Sequence, residues 1–139
     1  DIVDKNIDPN KNLQFVKCCK EIGIKINVFI MIGLPGETIQ TVQETKRWME
    51  KALPDKFGFN IFVPYIGTPI YNNPDKYDIV IHNMPDIDGW AKGRQGDYKA
   101  FISTKDLSRN EILRLFNELF EYYSNITKWK PGIGRKIND

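Results

Sequence analysis

Ile24-Lys25-Ile26-Asn27-Val28-Phe29-Ile30-Met31-Ile32-Gly33-Leu34-Pro35-Gly36-Glu37 decides the fold. The apolar run over residues 26–32 is short, nearly continuous, and rich in branched and aromatic side chains. That composition predicts a strand covered on both faces, as in parallel sheets. Gly33, Pro35 and Gly36 then stop the strand abruptly. Glu37 and Thr38 open a helix. In α/β folds, a turn at the carboxyl end of a parallel strand is where ligands bind.

Upstream, residues 9–22 have the pattern of an amphipathic helix. Asp8 is placed to cap it, and Pro9 suits the first helical position. Leu13, Val16, Cys19 and Ile22 recur at helical spacing and predict one buried stripe. Downstream, residues 38–52 predict a second helix with Ile39, Val42, Met49 and Leu53 on its buried side. Leu53-Pro54 closes it, because a residue before proline avoids helical geometry. Residues 57–63, FGFNIFV, predict a second strand that stops at Pro64. Residues 24–64 thus predict a strand-helix-strand unit with a right-handed crossover and parallel strands.

Residues 64–78 are rich in proline and tyrosine and predict an ordered loop. Residues 79–81 suit a short strand. The polar stretch after them predicts a long loop or small excursion, with Trp90 and Tyr98 as packing anchors. Ser108 and Glu111 form a capping box ahead of a last helix. Ile112, Phe116, Leu119 and Tyr123 mark its buried face, which Leu113 and Phe120 widen. The basic end of the chain reads as a solvated tail or packing arm.

The chain has 139 residues, enough for one domain with a core. Its 20 basic and 18 acidic residues give no charge-based case for nucleic acid, a membrane surface or an acidic partner. No apolar run reaches the length of a membrane span. The polar start is unlike a signal peptide, and the expected compartment is the cytoplasm. Cys18 and Cys19 are adjacent and lack the spacing of a metal set, so both read as small core residues. His82 reads as structural or surface. No residues have the spacing of a catalytic nucleophile, a catalytic base or a metal site. Two parallel strands cannot cover both faces of a sheet. Either residues 65–105 supply more strands, or the chain is the carboxyl-terminal part of a larger sheet or barrel. The missing initiator methionine, and an opening partway through a helical unit, favour the second expectation.

FIMIGLPGET, residues 29–38, resembles the fifth-strand segment of radical S-adenosylmethionine enzymes, including cobalamin-binding and methylthiotransferase-like subgroups. Residues 59–71 are similar to that family's sixth strand and its P-x-P-G-T-P-L-Y loop, with Ile66 where many members have proline. Residues 20–25 are similar to the K-x-x-G-I-x join before the fifth strand. The resemblance covers roughly residues 5–72. It implies an α/β fold in which residues 1–72 are the carboxyl-terminal portion of a (β/α) TIM-like barrel. Residues 73–139 would be an extension with an irregular segment and a helix. It also implies an oxidoreductase that reductively cleaves S-adenosylmethionine to a 5′-deoxyadenosyl radical. The cofactors of the full-length protein would be S-adenosylmethionine and a [4Fe-4S] cluster, with cobalamin an option.

The family's C-x-x-x-C-x-x-C motif is absent from this chain. The segment would therefore be inactive alone, would need upstream barrel strands, and would supply the adenosyl and substrate side of the pocket. By resemblance, Ile30 and Ile32 would pack on adenine, and Gly33 and Gly36 would let backbone approach the ligand. Glu37 would hydrogen-bond the cofactor or cap the helix. Phe62, Val63 and Pro64 would bring backbone groups to the adenine edge, and Tyr65 and Tyr71 would border a small-molecule or macromolecular substrate. Plain core packing and turn formation remain the alternative for the isoleucines and glycines. A free-standing α/β module that binds a small molecule or a partner without catalysis remains the alternative for the whole chain.

Overall fold

The computed structural model describes residues 7–82 and 98–127. In chain order the elements are α1 (Pro9–Glu21), β1 (Asn27–Ile32), α2 (Ile39–Ala52), β2 (Lys56–Ile61) and α3 (Pro69–Asn72). A 3₁₀ turn (Pro74–Tyr77), β3 (Ile79–Ile81), β4 (Ile102–Thr104) and α4 (Arg109–Thr127) follow. The Asp8 carboxylate caps α1 by accepting the Asn10 and Lys11 amides at 2.9 and 3.4 Å. Thr38 caps α2, exchanging hydrogen bonds with Thr41 in a capping box. Ser108 and Glu111 form the expected box at α4: the Glu111 carboxylate accepts the Ser108 amide at 2.8 Å, and Ser108 Oγ accepts the Glu111 amide at 3.3 Å.

β1 and β2 pair in parallel, with Val28 beside Phe57, Ile30 beside Phe59 and Ile32 beside Ile61. Side chains alternate along a strand, so these residues share one face. Ile32, Phe57, Phe59 and Ile61 join Val42 and Met49 of α2 in the core, together with Ile112, Leu115, Phe116, Leu119 and Tyr123 of α4. Phe57 meets Tyr123 edge-on with ring centres 4.5 Å apart. Such aromatic pairs add about 0.5–1.5 kcal/mol beyond the area they bury. Asp55 ties the start of β1 to the loop before β2, accepting the Ile26 amide at 2.9 Å and Lys25 Nζ at 3.0 Å.

The strand is not covered on both faces as its composition suggested. Phe29 is 71% exposed and Met31 45% exposed. α2 and α4 both contribute to the core beside Ile32 and Phe59, and among the described residues no layer covers the opposite face. Residues 65–105 do supply further strands, but β3 and β4 are antiparallel and form a sheet of their own. The result is a mixed α/β fold with a short parallel pair. Among the described residues no barrel closes.

Residues 64–78 are more regular than a loop, because their prolines start helical turns. Pro69 opens α3, where Thr68 Oγ1 accepts the Tyr71 amide at 3.3 Å, and Pro74 opens the 3₁₀ turn. Cys19 is buried, but Cys18 is exposed. Neighbours on a helix point in different directions, so both cannot face the same core. Ile22, Ile39 and Leu53 are exposed for a related reason: each sits at a helix end, where the stripe runs past the facing element. Tyr98 is the anchor expected, its ring 4.6 Å from that of Phe116. Trp90 and the basic end lie outside the described residues. Among the described residues no helix is long and apolar enough to cross a membrane.

Candidate site at the carboxyl ends of the parallel strands

β1 ends at Ile32 and enters the turn at Gly33, whose φ is 91°. An added Cβ at Gly33 would lie 3.1 Å from Ile112 Cγ2. Glycine is therefore needed here for both backbone and packing, and the space beside it is filled by α4. Gly36 also has positive φ, at 78°, and is exposed. The Glu37 amide donates to Leu34 O at 3.0 Å, closing the turn.

Glu37 does not cap α2; Thr38 does. The Glu37 carboxylate folds back and accepts the Gly33 amide at 2.5 Å, clasping the turn to the end of the strand. Burial pushes its pKa above the ordinary glutamate value, while the Gly33 and Leu34 amides pull it down by less. The exit of β2 is fixed beside this turn, since the Phe62 amide donates to Ile32 O at 2.7 Å. The next turn is held by Thr68, whose amide and hydroxyl both donate to Tyr65 O, at 3.1 and 2.7 Å. It leaves Tyr65 and Ile66 exposed on its rim.

The residues singled out by sequence divide between core and surface. Ile32 and Phe62 lie in the core, Pro64 is buried, and Ile30 packs half-buried against the core. Glu37 and Val63 are half-buried at the strand ends, and Tyr71 is half-buried in α3. The open face belongs instead to Phe29 and Met31, with Gly58 and Asn60 beside them. Phe29 lies so close over Gly58 that a Cβ there would meet its ring at 2.6 Å. Sequence reasoning expected both faces of β1 to be covered and did not single out the Phe29 and Met31 face as the open one. The signal was in β2, where Phe57, Phe59 and Ile61 alternate with Lys56, Gly58 and Asn60. That pattern turns the phenylalanines inward and, through the parallel pairing, turns Phe29 and Met31 outward.

No family model matches the chain. An uncharacterized methyltransferase of Pyrococcus horikoshii is 31% identical over 71 residues, which make up 51% of this chain and 16% of that relative. These findings correct the family expectation. The matched relative is named for methyl transfer, and no radical S-adenosylmethionine family model matches. This chain's own residues do not fit an iron-sulfur cluster: it has two cysteines, adjacent in sequence and one of them buried, where such a cluster takes more thiolates converging on one site.

Proposed function

We propose that the chain is part of an S-adenosylmethionine-dependent methyltransferase, and that its strand ends form a wall against the adenosyl group. The observation that carries this reading is the open apolar face of Phe29, in the middle of β1, and Met31, near its carboxyl end, on a strand that runs into the Gly33 to Glu37 turn. The resemblance in sequence to a protein named as a methyltransferase supports it. A nucleobase is a flat, weakly polar ring, and an exposed phenylalanine flanked by a thioether gives it a matching surface. Positive-φ glycine at Gly36 lets the turn pass close to a ligand without a side chain in the way.

S-Adenosylmethionine would supply an electrophilic methyl group. This chain's residues would bind and orient it. Glu37 keeps the turn in place through the Gly33 amide, and Tyr65 and Ile66 form the exposed rim on the side where an acceptor would approach. The parallel pair would be two neighbouring units of a larger β/α array, in which further strands lie along the free edges of β1 and β2.

Calorimetric titration with S-adenosylhomocysteine tests the reading. Saturable binding should occur, and Phe29→Ala should weaken it about tenfold, the scale of one base–aromatic contact. No binding to the folded chain, or equal binding by Phe29→Ala, overturns the proposed wall.

A further inference from the structure

The β3–β4 pair and the first turn of α4 border an open surface pocket of about 390 Å³ lined by His82, Ser103, Ser108, Arg109, Asn110 and Leu113. We propose that His82, Ser103 and Arg109 bind a small oxyanion there, the phosphate or carboxylate group of a ligand. The site stands apart from the methyl-transfer reading and does not depend on it.

The antiparallel register places Val80 opposite Ser103, and His82, two residues on, projects from the same face. His82 Nε2 and Ser103 Oγ are 2.9 Å apart. Whichever nitrogen carries the proton, one polar hydrogen of the pair remains to donate elsewhere: the Ser103 hydroxyl hydrogen if Nε2 is the donor, or the Nδ1 hydrogen if it is not. Arg109 Nε donates to Ala100 O at 2.9 Å, which anchors the guanidinium at its base. Its two Nη groups retain the planar fork that matches an oxyanion. No acidic side chain lines the pocket among the described residues. The acid in the first turn of α4, Glu111, is engaged by the Ser108 amide and hydroxyl at 2.8 and 2.7 Å.

A mutually satisfied histidine–serine pair explains those two residues and leaves the solvent-exposed Arg109 without an ion pair among the described residues. An oxyanion satisfies all three. Catalysis by the pair is not proposed, because among the described residues no carboxylate orients His82. The pocket lies across α4 from the strand-end turn: Ile112 packs against Gly33, and the next residue, Leu113, lines the pocket.

The chain has one histidine, so its ring protons give a single NMR reporter inside the pocket. Inorganic phosphate and acetate would be titrated separately at fixed pH and ionic strength, with chloride as the control. A saturable His82 shift with either oxyanion and not with chloride is expected. Response to phosphate alone assigns a phosphate group, and response to both assigns oxyanions generally. Arg109→Gln should weaken binding about tenfold, the scale of a charge-assisted hydrogen bond. Arg109→Lys, which keeps the charge and loses the fork, should fall between. A shift that chloride reproduces, a shift that never saturates, or unchanged affinity in both folded Arg109 variants overturns the site.

Discussion

Gly33→Ala tests how the candidate site is built. Gly33 has a φ of 91°, which an L-residue adopts at a cost of about 1–2 kcal/mol. The new methyl would also sit 3.1 Å from Ile112 Cγ2 and 3.4 Å from Ile112 Cδ1, where the neighbour must give way. Ile112 is fully buried, so it has little room to move. Overpacking of that kind costs about 1–3 kcal/mol. Together the two effects predict a loss of roughly 2–5 kcal/mol. Urea denaturation followed by circular dichroism would read it as a lower midpoint with an unchanged slope. A double-mutant cycle separates the parts. Ile112→Ala alone should cost about 2–5 kcal/mol. In the Gly33→Ala background it should cost less, because it removes the clash, while the backbone part persists. Gly33→Ala with the stability of the parent, or purely additive effects in the cycle, would refute the packing of α4 against this turn.

Other perturbations follow from the same geometry. Glu37 has its pKa raised in the folded chain, mainly by burial, so its protonated form favours folding. Relative to Glu37→Gln, the parent should be most stable below the ordinary glutamate pKa and should lose that advantage as pH rises through the raised value; unfolding curves across that range check the sign. Asp55 has the opposite sign: the Ile26 amide and then Lys25 hold its pKa down. Its stabilisation is therefore present above the ordinary aspartate value and lost as pH falls through the lowered one, a dependence that Asp55→Asn should abolish. Ser108→Ala removes the α4 cap and should cost about 1 kcal/mol by thermal unfolding. Met31→Ala should change stability little, because Met31 is 45% exposed, yet should weaken S-adenosylhomocysteine binding by calorimetry.

Local chemistry made much of the fold legible. Asp8-Pro9 and the Ser108–Glu111 box each specify a helix start through side chains near in sequence, and both lie where expected. The parallel β1–β2 pair was readable because a helix-length segment separates two strand-like runs. The number of layers was not, since a continuous apolar run does not say whether both faces meet a partner. For β1, the outer face with Phe29 stays open. Proline in residues 64–78 was read as marking an ordered loop, whereas Pro69 and Pro74 begin helical turns, where a missing amide costs nothing. At the site, the turn glycines were legible as strand terminators. That Gly33 faces Ile112 was not, because the contact joins residues far apart in sequence. The His82–Ser103 pair was hidden for the same reason: it exists only through the register of β3 and β4.

The central claim is that Phe29, Met31 and the turn after β1 form a wall for an adenosyl group. Backbone amide NMR of the chain titrated with S-adenosylhomocysteine tests it most directly. The expected result is saturable shifts concentrated at Phe29, Met31, Gly36, Asn60 and Val63, with the amides of α1 unmoved. Shifts confined to other parts of the chain, or none at millimolar ligand, would contradict it.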